Sequence, residues 1–235
     1  MLALRRYRMC AFFVVVRFSL STAVRLEKAS TSCHWRSTSV TCTGATSSAA
    51  SASARGGFLG SVREIYIDDG KWTVLSKTLF SSLSELIKLS ATGNAITHVE
   101  GGALRASKKL SALQLDSNKL TAVPPPLQYL KNLRHLGLSN QFILDLPSRL
   151  HLPSLLKLNL QGNKIREIPI GFLDELNDLQ EVRFDGNELA TIPPFLFRAM
   201  ENLHLVKFNS NKLQTLPRCM FREAFSFGDA PFGRK

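Results

Sequence analysis

Four cysteines, five histidines and one pair of adjacent aspartates are the side chains in these 235 residues best suited to do chemistry at close quarters. Cys33 and Cys42 lie nine positions apart with His34 between them, Cys10 sits near the start and Cys219 near the end. Two cysteines with a single adjacent histidine do not supply the tetrahedral ligand spacing of a zinc site. The histidines (His34, His98, His135, His151, His204) fall at unrelated phases of the sequence and form no cluster. Asp68 and Asp69 are neighbours, but an acid–base pair needs two environments that push the two pKa values apart, and nothing around them offers that. There is no glycine-rich phosphate loop, no His-Glu-x-x-His, no Gly-x-Ser-x-Gly and no kinase signature. The reading is therefore a chain that is not an enzyme and that uses no metal and no cofactor.

Charge narrows the partners. The chain carries a net +12, yet residues 1–56 hold eight basic side chains against one acid, leaving 22 against 17 for the rest. The excess is concentrated in a leader, so nucleic acid is an unfavoured partner, and no aromatic-basic recognition motif supports it. Residues 1–24 read as a targeting segment. Arg5, Arg6 and Arg8 precede an apolar run from Met9 to Val16, and Ser21 and Ala23 offer a signal-peptidase site. The run is too short to span a bilayer. An arginine-rich, acid-free start followed by Ser and Thr also suits an organellar transit peptide, so secretion and organellar import both stay open. Residues 43–57 are Ser/Ala/Gly-rich, a linker with nothing to bury.

What must position any functional group is a repeat. The pattern L-x-x-L-x-L-x-x-N-x-L, numbered 1–11, starts at 62, 86, 110, 133, 155, 179 and 203. Its cleanest copies are Leu110–Leu113–Leu115–Asn118–Leu120 and Leu155–Leu158–Leu160–Asn163–Ile165. Position 9 also holds Asn94, Asn187 and Asn211, whereas Gly70 and Gln141 replace the asparagine in two copies. A second half follows with its own signature: Ile168-Pro169 before Phe172, Ile192-Pro193 before Phe197, Leu216-Pro217 before Phe221. Alternation at positions 4 and 6 is the period of a strand with one buried face. One short strand cannot bury that face alone, so stacked copies must share a continuous core. An asparagine amide has both donors and an acceptor for buried backbone groups, so Asn94, Asn118, Asn163, Asn187 and Asn211 read as structural. Gln141 is a methylene longer, and Asn140 is an alternative occupant of that slot by a register shift. Pro124-Pro125-Pro126 reads as a stiff extended piece rather than a helix.

These seven in-phase copies resemble the 24-residue class of leucine-rich repeats. The segment around Val40-Thr41-Cys42-Thr43-Gly44 resembles, in part, the cysteine-bearing N-terminal cap of extracellular members. The resemblance implies an α/β solenoid of horseshoe shape, with short parallel strands on the concave face and irregular, 3-10 or short helical segments on the convex one. It organises the chain as 1–24 targeting segment, 25–57 cap remnant and linker, 58–224 repeat domain of about seven copies, and 225–235 tail. If the chain is secreted, the cap implies a Cys33–Cys42 disulfide; otherwise the two remain free thiols. The tail either folds over the last copy through Phe225 and Phe227, or the chain is a piece of a longer receptor-like protein.

In this family the concave sheet is the usual binding surface. Its outward positions 3, 5 and 7 place Tyr66, Lys88, Gln114, Asp116, His135, Lys157, Asn159, Arg183, Asp185 and Lys207 there as candidate ligand contacts. Tyr66 and Arg183 are favoured because interface hot spots favour Tyr and Arg. The resemblance implies a secreted or cell-surface binding module for a protein, or a glycan, of undetermined oligomeric state. Two alternatives remain: an intracellular or organellar scaffold, and the sensor part of a receptor kinase-like protein whose catalytic domain lies elsewhere.

Overall fold

The computed structural model describes residues 61–217 and 219–221 together with the strand segments 13–18, 22–27, 33–36 and 38–42. The expected linker at 43–57, most of the targeting segment and the tail at 225–235 lie outside the described residues. Within the leader, β1 (Phe13–Phe18) and β2 (Thr22–Glu27) pair antiparallel as a separate two-stranded sheet.

The main sheet has nine strands. Its first two, β3 (Cys33–Arg36) and β4 (Ser39–Cys42), form an antiparallel hairpin in which Cys33 stands opposite Cys42. β4 then runs parallel to β5 (Glu64–Tyr66), with Val40 beside Ile65, so the hairpin covers the N-terminal edge of the repeats. Next comes β6 (Val74–Leu75), which pairs with β8 (His98–Val99) in a small parallel sheet of its own. The main sheet continues through β7 (Lys88–Ser90), β9 (Ala112–Gln114), β10 (His135–Gly137), β11 (Lys157–Asn159), β12 (Glu181–Arg183) and β13 (Leu205–Lys207). Every neighbouring pair from β5 to β13 is parallel and in template register, as in Leu113–Leu136–Leu158–Val182–Val206. The fold is a parallel-strand solenoid, because a crossover of near-constant length returns each copy to the same edge.

The core lies between this sheet and the return segments. Positions 4 and 6 are buried in the central copies (Leu113 and Leu115, Leu158 and Leu160, Val182 and Phe184). Each such side chain contributes ~1.5–3 kcal/mol relative to exposure. The convex layer is largely turns. Its regular pieces are α1 (Lys77–Phe80) and a 3-10 helix at Pro125–Tyr129, and its buried aromatics include Phe80, Phe172 and Phe197. At the C-terminal end Phe208 stacks on Phe184 at 5.4 Å, but Val206, Phe208 and Leu213 are only partly buried because no described copy follows them.

One local expectation is corrected. Pro124 is extended (φ −63°, ψ 124°), but Pro125 and Pro126 open the 3-10 helix instead of prolonging an extended piece. The first residues of a helix have no intrahelical use for their N–H groups, and proline's fixed φ already suits that turn. Leu127 N–H then donates to Pro124 O at 3.2 Å and closes it.

Candidate ligand-binding face

The turn after each strand is built the same way in every copy. Position 8 is left-handed throughout: Asp69, Gly93, Ser117, Asn140, Gly162, Gly186 and Ser210 have φ between 52° and 69°. That backbone turn carries position 9 inward. Asn118 is representative. Its Nδ2 donates to Ala91 O at 2.8 Å in the preceding copy and to Leu115 O at 2.7 Å in its own, while its Oδ1 accepts from Ile96 N–H at 3.0 Å. Asn94, Asn163, Asn187 and Asn211 repeat the set, each tying one copy to the copy before it. Gln141 takes the same slot. Its Nε2 donates to Leu115 O and its Oε1 accepts from Leu120 N–H at 3.0 Å. The register shift that would have put Asn140 there does not occur. Asn140 occupies the left-handed position 8 (φ 53°), a conformation asparagine tolerates better than most residues.

Position 7 proves to be partly structural. Asp116 Oδ1 accepts from both Ser139 N–H (2.8 Å) and Ser139 Oγ–H (2.6 Å) of the next copy. Asp68 does the same with Thr92 N–H and Ser90 Oγ–H, and Asp185 with Asn209 N–H and Nδ2–H. These carboxylates satisfy backbone donors where the strand ladder ends, a role that sequence spacing did not reveal. A Ser, Thr or Asn one copy later was the available signal. Gly137 belongs to the same device. A Cβ there would meet Asp116 Oδ2 at 2.2 Å, so the glycine makes room for the carboxylate.

A depression of about 620 Å³ lies in the middle of the concave sheet, with Gly137 in its lining. Of the ten predicted contacts, Lys88, Gln114, Asp116, His135, Lys157, Asn159 and Arg183 line it. Tyr66, Asp185 and Lys207 lie outside it, towards the two ends. Tyr66 donates to Glu64 Oε2 at 3.1 Å, and the Lys88 ammonium lies 4.9 Å from its ring centre. Glu181, which is not one of those ten, is the organising acid. Lys157 Nζ approaches it at 2.7 Å, Arg183 Nη2 at 3.7 Å and His204 Nε2 at 3.9 Å. The Lys157 hydrogen bond, above all, holds its carboxyl below the ordinary carboxylate range. The His135 imidazole is held below its ordinary value, first by lost hydration and then by Lys157 and Arg134, with Glu181 opposing. The depression is therefore mixed in charge, with a neutral histidine at neutral pH. Such a surface can form charge-assisted hydrogen bonds with a polar partner.

The Leucine rich repeat family matches residues 60–120. The chain is 30% identical to podocan of Mus musculus over 127 residues, 53% of this chain and 20% of podocan. It is 27% identical to decorin of Equus caballus over 123 residues, 52% of this chain and 28% of decorin. It is also 33% identical to Toll-like receptor 10 of Bos taurus over 73 residues, 31% of this chain and 9% of the receptor. It thus spans less than a third of the length of each of these relatives. Among solved structures, internalin C2 of Listeria monocytogenes superposes with TM-score 0.59 at 22% identity, over 75% of this chain and 73% of the internalin. A complex of TLR13 with the single-stranded RNA ssRNA13 gives 0.60 at 24% identity, over 66% of this chain and 24% of the receptor, and shows the same fold. Seven strands in one register, a repeated asparagine turn and these relatives together identify the chain as a leucine-rich-repeat protein.

Proposed function

We propose that the chain is a non-catalytic module that recognises a protein ligand through its concave sheet, outside the cell. The observation that carries this reading is the depression over Gly137, ringed by lysine, arginine, histidine, amide and carboxylate groups on strands that the asparagine turns hold rigid. Binding groups set on a stiff scaffold need little ordering on association, which favours affinity. The Glu181 cluster supplies opposite charges close together, an arrangement that fixes partner orientation more than raw affinity. The same face is open to a glycan, whose hydroxyls would use Gln114 and Asn159. The decorin and podocan matches support the extracellular setting, as does the opposition of Cys33 and Cys42, which suits a disulfide in an oxidising compartment.

Two measurements test this. Non-reducing peptide mapping of full-length protein recovered from culture medium should yield a Cys33–Cys42 bridge; retention inside the cell with free thiols would favour the scaffold reading. Proteins captured by the wild-type chain and eluted specifically should then be retested on Arg183→Glu and, as a control on the opposite flank, Arg166→Glu. The expected result is loss of the partner with the first and retention with the second. Stability should change by no more than ~0.5 kcal/mol in either. A partner indifferent to Arg183 would place the site elsewhere.

A further inference from the structure

The convex side carries a second depression, of about 710 Å³, that shares no residue with the concave sheet. Its construction follows from the repeat. Lys77, Gly101 and Pro125 stand at the same phase of three successive copies, 24 residues apart, and Ser81, Arg105 and Tyr129 form the neighbouring line. Equivalent positions in a solenoid are adjacent in space. The middle copy has glycine where its neighbours have Lys77 and Pro125, so the first line has a gap. A Cβ on Gly101, or on Gly102, would meet nothing within 4 Å, so the gap is open space.

The lining is cationic. Lys77, Arg105 and Lys108 all face the depression, no carboxylate lines it, and among the described residues none of the three is ion-paired. The closest acid in sequence, Glu100, accepts from the Lys77 backbone N–H at 2.7 Å. Elsewhere along the solenoid, exposed cations such as Lys109, Arg198 and Lys212 are each matched to an acid one copy away. The guanidinium of Arg105 lies 5.7 Å from the centre of the Tyr129 ring, which holds it over the groove.

We infer that this glycine-floored convex groove binds a sulfated linear polysaccharide. Three unpaired cations along a shallow trough match an extended chain that carries an anion on successive sugars. Ser81 and Gln128 offer hydroxyl and amide partners for the sugar hydroxyls. A single-stranded nucleic acid fits less well. It needs free aromatic faces for base stacking, and Tyr129, the one aromatic in the lining, already carries Arg105. An acidic peptide would want apolar pockets for anchoring side chains, and Val99, Ala106 and two prolines supply only a shallow floor.

The test is titration of the full-length protein with a size-fractionated heparin oligosaccharide at about 0.15 M salt, where general surface attraction is largely screened. The double variant Arg105→Ala/Lys108→Ala should weaken binding about tenfold and flatten its salt dependence. Gly101→Gln leaves the net charge unchanged but fills the trough, and should weaken binding to a similar degree. Lys119→Ala/Lys164→Ala removes the same charge from the other flank and should change affinity by less than about twofold. Desulfated oligosaccharide should not compete. Equal losses from both double variants would overturn the site in favour of overall charge. So would an unaffected Gly101→Gln variant. A poly-glutamate peptide or a single-stranded DNA of equal charge that bound as tightly would overturn the ligand class.

Discussion

The turn column and the strand column of the same sheet follow opposite rules. At position 9 the same amide recurs five times, and each copy of it holds three backbone groups across two turns of the solenoid. At position 5 the seven residues are Tyr66, Ser90, Gln114, Gly137, Asn159, Arg183 and Lys207, with no two alike. The difference is physical. A buried donor or acceptor left unpaired costs ~1–3 kcal/mol, so six of the seven copies fill the turn with a side-chain amide, Gly70 in the first copy being the exception. A solvent-facing side chain costs almost nothing to change, so that column is free to be shaped for a partner. Repetition in this molecule marks what holds it together, and variation marks where recognition can sit.

The largest expected effect comes from breaking the layer beneath both columns. Leu158 is 2% exposed in the central strand β11. Leu158→Asp buries an unpaired carboxylate with nothing to neutralise it and should abolish cooperative unfolding by circular dichroism. A soluble variant with wild-type ellipticity and melting would mean that position 4 does not face the core. Next in size is the turn itself. Asn163→Ala strips partners from Leu138 O and Ile143 N–H, both in the interior, and should cost about 3 kcal/mol in urea unfolding. Asn211→Ala makes the same deletion in the last copy, where the site is partly exposed and water can take the amide's place. Its cost should be nearer 1 kcal/mol. Equal losses at the two positions would mean that the end of the solenoid is shielded as well as its middle.

Much of this was legible in the sequence, because the repeat imposes one answer many times over. The phase of all seven strands, the inward asparagines and the convex phenylalanines follow from a spacing of 22 to 24 residues. What escaped was whatever depends on contact between neighbouring copies. Asp116 reads as a ligand contact until Ser139 of the next copy is seen to occupy one of its oxygens. The glycine at 137 is explained only by the carboxylate beside it, which leaves no room for a Cβ. Glu181 is one of several charges concentrated in the last copies, and its pairing with Lys157, 24 residues away, emerges only when the copies are stacked. The convex groove was equally hidden: Lys77, Gly101 and Arg105 acquire meaning only when three copies are stacked. The proline triplet was misjudged for a local reason, since a stiff φ serves the start of a helix as well as an extended chain.

Gln141 offers a smaller test of the rule, because it is a deviation inside the column that should not vary. It reaches Leu115 O and Leu120 N–H, as an asparagine there would, but through one more methylene. Gln141→Asn restores the residue of the other copies and should raise stability by ~0.5–1 kcal/mol, read as a shift in urea midpoint without change in slope. A loss instead would mean that the shorter 22-residue spacing to the following copy needs the longer side chain.

The smallest effect is expected on the recognition column, and it separates the two columns by pH. His135 has a folded pKa below its ordinary 6.5, because lost hydration and the Lys157 and Arg134 charges disfavour its protonated form. The unfolded chain therefore binds the proton more tightly. Stability linked to this group is complete above the unfolded value and is lost as pH falls through the folded one. Glu181 has a depressed pKa too, so its contribution is present above the ordinary carboxylate value and is lost only at more acidic pH. Melting temperature measured from roughly pH 7.5 down to 5 should decline slightly in the wild type and less in His135→Gln, with the two curves falling together at lower pH. Because the ring is exposed at the sheet surface, the asparagine turns should feel none of this titration, and hydrogen exchange at Ile143 and Leu120 should be unchanged by His135→Gln at neutral pH. If protection there did change, the variable column would be coupled to the invariant one, and recognition on the concave face would alter the stability of the whole array.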